Sequence, residues 1–493
     1  MNLESLALII YFAAMLAIGI VMFVKSKNES DKDYFLGGRS MGPWVTAMSA
    51  QASDMSAWLL MGLPGSILAF GLGQAWIGIG LAIGTAANWI LIARRLRKFS
   101  KAANDSITLP QYLSNRFATS SKLLQVICAV VFLIFFTVYV ASSFVAGTSV
   151  FTTIFNIDET PAMLIFAAIL IIYTFLGGFR AVCWTDFFQG MLMLIAILAV
   201  PIVVFLTQNL DTSVLANDFG GQYPFTTNVF SATPLEIING LAWGLGYFGM
   251  PHILVRFMAI KKPSMVKKST IVAVVWVVLA LFTVALNAYL GRILIGEELL
   301  ANEQQSLVFI ALFRKLFPPF IAGILLSAII AASMSTADSQ LLVASSSFTS
   351  DIYKPFLRKN ASNREVMWVG RAVVLIIAVI AYFIASSKSQ GAQAIMNMVE
   401  NAWAGFGSSF GPVVILSVFW RRFTYKGAVA GVLAGAITDI VWLMFLKGTG
   451  VYEIIPGFII GTIAAVVVTL LDKQPSKEVT AIYDAATSNE VDD

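Results

Sequence analysis

The chain has 493 residues, 58% of them apolar and only 12% charged, with a mean hydropathy of +0.83, which lies far outside the range of water-soluble domains. A soluble enzyme is thereby excluded. The net charge of +5 does not point to nucleic acid, because the basic residues sit in short patches between apolar runs instead of forming a stripe.

In chain order, apolar stretches of about 20 residues, long enough to cross a bilayer, begin near Leu3, Gly42, Gly73, Leu123, Pro161, Phe187, Pro234, Thr270, Pro318, Met367, Ile395, Tyr425 and Val451. The first runs on into Lys25 and lacks a basic leader, so it reads as a retained span and not a signal peptide. Thirteen spans with the N-terminus outside put 27 Lys and Arg in inside connections and leave only Arg292, Arg314, Lys315, Lys388 and Lys447 outside, the asymmetry expected of a membrane protein. The C-terminus then lies in the cytoplasm. Cys128 and Cys183 both fall in apolar runs without a CxxC or a set of histidines, so neither a disulfide nor a zinc site is expected. Residues 472–493 are polar and are expected to be a disordered cytoplasmic tail.

The second and seventh stretches differ from the others. Ser49–Gly65 and Asn239–His252 each interrupt an apolar run with small residues, Gly or Pro. Five spans apart, they run in opposite directions, as an inverted repeat with two broken helices requires. A helix broken inside a bilayer strands backbone groups that lipid cannot satisfy, so the break must line a cavity or bind something. Glycine pairs used for close packing are the alternative reading.

The ninth stretch carries Ser327–Ser350, a run dense in hydroxyls. Ser335 and Thr336, with the Ala332 carbonyl one turn earlier, present oxygens on one helical face. Neutral oxygens of that kind suit a hard monovalent cation such as sodium; the alternative is hydroxyls bonding back to their own helix. Asp54 is a carboxylate at mid-depth, where burial is expensive enough to imply function. Asp186, near the inner end of its span, either pairs with Arg180 or serves an ion pathway. His252 reads as a packing or capping residue. Trp243 and Tyr247, four residues apart on the seventh stretch, with Tyr139 from the fourth, form one wall of a cavity. Exposed helix N-termini at the breaks favour a carboxylate, so a small amino or organic acid is the predicted solute.

At this point FLGGRSMGPWVTAMSAQASDMSAWLLMGLPG, YTFLGGFRAVCWTDFFQG, AWGLGYFGMPHILVRFMA, GILLSAIIAASMSTADSQLL, WVGRAVVL, NAWAGFGSSFGPVV and VYEIIPGFIIG together resemble the solute:sodium symporter family over nearly the whole chain, most closely its proline carriers. The resemblance implies an all-α polytopic membrane protein with 13 transmembrane helices and a LeuT-like five-plus-five inverted-repeat core, the repeats spanning about 41–207 and 233–420 within a single domain of residues 1–471. It implies sodium-coupled uptake of L-proline with no enzymatic activity. Matching motif positions assign sodium to the carbonyls of Ala52, Met55 and Ala332 and the hydroxyls of Ser335 and Thr336. They assign the solute pocket to Ser56, Trp58, Tyr139, Trp243, Tyr247 and Pro251, coupling or ion-pathway roles to Asp54 and Asp186, and roles near the first break to Arg39 and Gly62. Ala57 and Asp338 depart from the family pattern and bear on affinity or selectivity. A different small acid or betaine, proton coupling, and a sensor or channel remain as alternatives, the last disfavoured by the short tail.

Overall fold

The structure is a computed structural model that describes residues 2–25, 31–176, 178–387 and 392–488. Its main helices are α1 (Leu3–Lys25), α2 (Pro43–Asp54), α3 (Leu63–Phe70), α4 (Trp76–Ala87), α5 (Leu123–Phe155), α6 (Glu159–Leu176), α7 (Phe179–Thr207), α8 (Pro234–Ala242), α9 (Pro251–Ala259), α10 (Val266–Ala301), α11 (Pro319–Ser347), α12 (Asn363–Ser386), α13 (Ala392–Phe419), α14 (Tyr425–Val441), α15 (Ile454–Leu471) and α16 (Lys477–Thr487). Among the described residues ten helices are long and apolar enough to cross a membrane, and the only strand-like pairings are isolated bridges, Met41 to Ile260 and Gly71 to Thr226. Apolar side chains such as Ile90, Leu206, Phe282 and Phe383 lie exposed on the outer faces, the inverse of a soluble protein and the form expected where lipid is the solvent.

Small residues set the closest helix approaches. A Cβ on Gly80 would lie 2.2 Å from the Gly240 carbonyl oxygen, and one on Gly84 would lie 2.4 Å from the Gly244 Cα. Two glycines four apart on α4 thus meet Gly240 of α8 and Gly244 just beyond its end, which lets the backbones touch.

Two helical segments are interrupted. Between α2 and α3 the chain leaves helical geometry at Met55 (φ −82°, ψ 73°) and re-forms as a wide π-type turn over Trp58–Gly62. Between α8 and α9 it tightens to a 3-10 turn over Trp243–Phe248, then passes through extended Met250 (ψ 107°) before Pro251 restarts the helix. Proline at a first helical position forfeits no hydrogen bond, because that N–H has no partner in the helix. The ends of α2 and α9 away from the interruptions are tied together: Lys261 N–H donates to the Met41 carbonyl at 2.9 Å, and Met41 N–H to that of Ala259 at 3.3 Å.

Three sequence expectations change. The sixth stretch begins at Phe179 and not near Phe187, because Thr185, Asp186 and Gln189, polar in sequence, are all buried and bonded inside the bundle. The tail is not disordered as far as Ser488. Ser476 caps α16 by accepting from Val479 N–H, Val479 and Ala486 are buried, Tyr483 packs edge-on to Phe99, and Arg421 pairs with Asp484 at 2.7 Å. Residues 489–493 lie outside the described residues. Third, Arg39 is not near the break, since it precedes α2 altogether, and twelve residues at 1.5 Å each separate the two by about 18 Å.

Candidate functional site

The site is built where α2 stops. An uninterrupted helix would have Ser56 N–H donate to the Ala52 carbonyl. Instead it donates to Asp54 at 2.9 Å, and the Ala52 carbonyl accepts from the Ser335 hydroxyl of α11 at 2.8 Å. The same hydroxyl lies 3.3 Å from the Ala332 carbonyl. Ala52, Ala332, Ser335 and Thr336 are all fully buried, and the Thr336 hydroxyl has no hydrogen-bond partner. A buried hydroxyl without a partner costs about 1–3 kcal/mol, so its presence next to Ser335 needs a reason. Met55, whose carbonyl was assigned to the same set, is the residue at which α2 turns away. This donor set consists of neutral oxygens only, which fits a monovalent cation carried as cargo.

Asp54, the last residue of α2, is buried and accepts from the Tyr247 hydroxyl at 2.5 Å. One break is thereby joined to the other, since Tyr247 sits in the 3-10 turn. Around this bond the aromatic residues converge. Trp58 stacks on Trp243 with ring centres 5.6 Å apart, Tyr139 from α5 sets its hydroxyl against Ser56, and Ser56 Oγ accepts from Trp58 N–H at 3.3 Å. Pro251 is buried at the head of α9. Gly62 closes the π-type turn, and a Cβ there would meet Met396 Sδ at 2.7 Å.

Two aromatic members were not selected from the sequence. Trp403 of α13 donates through Nε1 to the Trp243 carbonyl at 2.8 Å and meets Tyr247 edge-on at 5.0 Å. Tyr452 lies 5.4 Å from Trp243. Both belong to segments noted for their likeness to the family, NAWAGFG and VYEIIPG, but an isolated aromatic in an apolar run carries no positional signal. Gly246 makes room for Trp403, as a Cβ there would fall 1.9 Å from its indole nitrogen.

A second polar cluster lies along the helices α2, α7, α9 and α11. The partner of Asp186 is Arg256, not Arg180: Arg256 Nη2 is 3.0 Å from Asp186 Oδ2, with both side chains essentially buried. Arg180 instead donates to Ser40 Oγ. Arg256 also donates to Ser49 Oγ at 3.0 Å, to the His252 carbonyl at 2.7 Å and to Ser339 Oγ at 2.5 Å, while Ser49 donates to Asp186 at 2.7 Å. One guanidinium therefore joins four helices. Asp338 is fully buried, and neither of its carboxylate oxygens has a hydrogen-bond partner. His252 packs its ring against Phe136 at 5.8 Å. Arg256 was missed because it adds to the inside positive charge and reads as a topology signal, whereas the fold buries it.

Arg39, in a left-handed conformation (φ 53°), staples the segment before α2. Its guanidinium donates to Asp105 Oδ1 at 2.8 Å, to Ser100 Oγ at 3.1 Å, to the Ser106 carbonyl at 2.9 Å and to the Met258 carbonyl of α9. Burial raises the Asp105 carboxyl, but its bonds to Lys32 and Arg39 outweigh that and hold it below the ordinary aspartate value.

Paired interrupted helices within a bundle of long apolar helices point to a class, the multi-pass membrane transporters. The fold agrees. A substrate-bound, outward-open Na+-coupled sialic acid symporter superimposes with a TM-score of 0.78 at 20% identity over 97% of this chain and 99% of its own, and Mhp1, a nucleobase-cation-symport-1 transporter, with 0.58 at 14% identity over 93% and 99%. The sodium:solute symporter family model matches residues 34–435, and the chain belongs to that family. Relatives include the sodium/proline symporters of Haemophilus influenzae, 44% identical over 97% of this chain and 96% of its own length, and of Escherichia coli, 45% identical over 95% and 93%. The osmoregulated proline transporter of Bacillus subtilis is 42% identical over 95% and 94%.

Proposed function

We propose that this protein takes up L-proline with sodium by alternating access. The observation that carries the proposal is the bridge from the Ala52 carbonyl to Ser335, beside the partnerless Thr336 hydroxyl, in a chain more than 40% identical to proline symporters over nearly all its length. Sodium as cargo would be held by the Ala52, Met55 and Ala332 carbonyls and the two hydroxyls. It would add an ionic tie between the break after α2 and α11, holding Asp54 where Tyr247 reaches it. Tyr247 and its neighbours Trp243, Trp58, Tyr139 and Ser56 then form the wall against which the pyrrolidine ring rests, with Pro251 at the α9 N-terminus on the carboxylate side. Linkage requires that sodium and proline each raise the other's affinity by the same factor.

The same reading makes α2 with α3, and α8 with α9, the two broken spans of thirteen, the Glu159–Leu176 helix being another. Residues 1–471 form one transport domain with repeats at about 41–207 and 233–420. The N-terminus faces out and the C-terminus the cytoplasm, the orientation supported by the Lys and Arg asymmetry. Asp186 and Arg256 close the path on the inner side, while Arg39 anchors the start of the first broken span and Gly62 closes the turn at its break.

The test is uptake of labelled L-proline into proteoliposomes with and without an inward sodium gradient, for wild type and the Ser335→Ala, Thr336→Ala double variant. Uptake that needs sodium and collapses in the double variant is expected. Sodium-independent uptake refutes the coupling, and sodium binding with no proline uptake assigns another solute, to be found by competition among small amino acids and betaines.

A further inference from the structure

Arg292 is one of the few basic residues that the charge pattern leaves outside, and neither the aromatic wall nor the oxygen set uses it. It is only 3% exposed. Its guanidinium donates to four backbone carbonyls: those of Leu68 at 3.1 Å and Ala69 at 3.4 Å in the last turn of α3, and those of Asn217 at 2.6 Å and Tyr223 at 3.1 Å in the connection from α7 to α8. The rings of Phe219 and Phe225 lie 5.2 and 5.1 Å from its central carbon. The last carbonyls of a helix have no partner within it and carry the negative end of its dipole, so a cation is stabilised there. The same corner is tied a second time, since Leu72 N–H donates to the Thr226 carbonyl at 2.8 Å. Along its length α3 is held less firmly, because Leu63 and Ile67 border an apolar cavity of about 440 Å³ shared with α4 and α10.

We propose that Arg292 is a positioning residue for solute binding, an inference that rests on the transport reading above. The helical run that ends at Phe70 begins at Trp58, whose ring stacks on Trp243 in the aromatic wall. A rigid helix carries the placement of one end to the other, so with a cavity on its flank the clamp at the far end fixes how Trp58 meets its partner. A buried cation is compensated only while its carbonyls stay in place, because losing them strands the charge. One arrangement of α3, α10 and the connection is thereby selected. The Ala52 carbonyl proposed for sodium lies on the other side of the break, where α2 is bonded to α11 through Ser335. Arg292 therefore acts on solute affinity and not on sodium binding in the absence of solute.

The experiment measures, on the purified full chain, equilibrium binding of labelled L-proline at saturating sodium and the rise of the unfolding midpoint with sodium when proline is absent. Arg292→Gln is expected to weaken proline binding roughly two- to thirtyfold and to leave the sodium response unchanged. Arg292→Lys should recover part of the loss, since a compact ammonium does not span carbonyls on two elements as the guanidinium fork does. Gly296→Ala keeps the charge but sets a Cβ 2.9 Å from Arg292 Cδ; it should weaken proline binding in the same direction, and it gives the readout if Arg292→Gln does not fold. Unchanged proline affinity in folded Arg292→Gln, or in Gly296→Ala where that variant is the readout, overturns the proposal. So does a sodium response that falls along with proline affinity, which marks a general destabilisation. Wild type that binds no proline at saturating sodium overturns the transport reading and this role with it, whereas wild-type binding that the variants preserve overturns the positioning role alone.

Discussion

Ser335 and Thr336 are neighbours on α11, yet their hydroxyls are bonded differently. The Ser335 hydroxyl bonds the Ala52 carbonyl at 2.8 Å in a fully buried setting. Ser335→Ala therefore removes that bond and leaves a buried carbonyl short of a partner, a loss of about 1–3 kcal/mol. The Thr336 hydroxyl bonds nothing, so Thr336→Val, similar in shape, breaks no bond and removes a group whose burial itself costs about 1–3 kcal/mol. Sodium-free stability should fall in the first variant and hold or rise in the second. On the proposed assignment both lose an oxygen that would face the cation. If that oxygen contributes about 1.5–3 kcal/mol, as an interaction with a charged group does, sodium affinity weakens roughly tenfold to a hundredfold in each. Thermal unfolding of purified protein in choline chloride gives the first quantity. The rise of the midpoint with added sodium gives the second, since ligand stabilisation follows the ratio of concentration to dissociation constant. If Thr336→Val loses sodium-free stability as Ser335→Ala does while sodium still shifts its midpoint normally, Thr336 is a packing residue and the reasoning fails.

Other expectations rest on separate features. Arg256→Met and Asp186→Asn, each leaving a buried partner uncompensated, should cost about 3–5 kcal/mol, and the double variant should lose clearly less than the sum; additivity in a double-mutant cycle would mean that the pair at 3.0 Å is not coupled. Gly246→Ala would force Trp403 off the Trp243 carbonyl and is expected to destabilise by about 1–3 kcal/mol and weaken proline binding, measured by equilibrium binding; unchanged binding would remove Trp403 from the pocket wall. For Asp105, whose folded carboxyl is held below the ordinary value, the stabilisation is complete above about pH 3.9 and disappears as pH falls through the lower folded value. Asp105→Asn should lower the melting midpoint at neutral pH and flatten its acid dependence, and an acid limb identical to wild type would sink the assignment.

Much was legible in one dimension. A bilayer tolerates only internally bonded backbone, so apolar runs had to be helices, and the ten long ones among the described residues lie where the hydropathy put them, except that one begins at Phe179 and not near Phe187. The segments Ser49–Gly65 and Asn239–His252 stood out too, because glycine, proline and small polar residues are uncommon together inside such runs. Ser335, Thr336 and Asp54 stood out as oxygens lipid cannot hydrate.

Partnership was not legible. Asp186 had Arg180 six residues away, but α7 begins at Phe179 and carries Asp186 into the bundle, where Arg256 arrives from 70 residues on. Trp403 and Tyr452 looked like ordinary membrane aromatics until α13 and the turn before α15 brought them against Trp243. Arg39, close to the first break in sequence, is held away from it by the full length of α2. Sequence determined which groups needed a partner, because the cost of burying an unsatisfied polar group in lipid depends on residue type alone. Only the tertiary structure decided which partner each received, because that depends on which helix faces meet, and contacts hundreds of residues apart leave no local period in the chain.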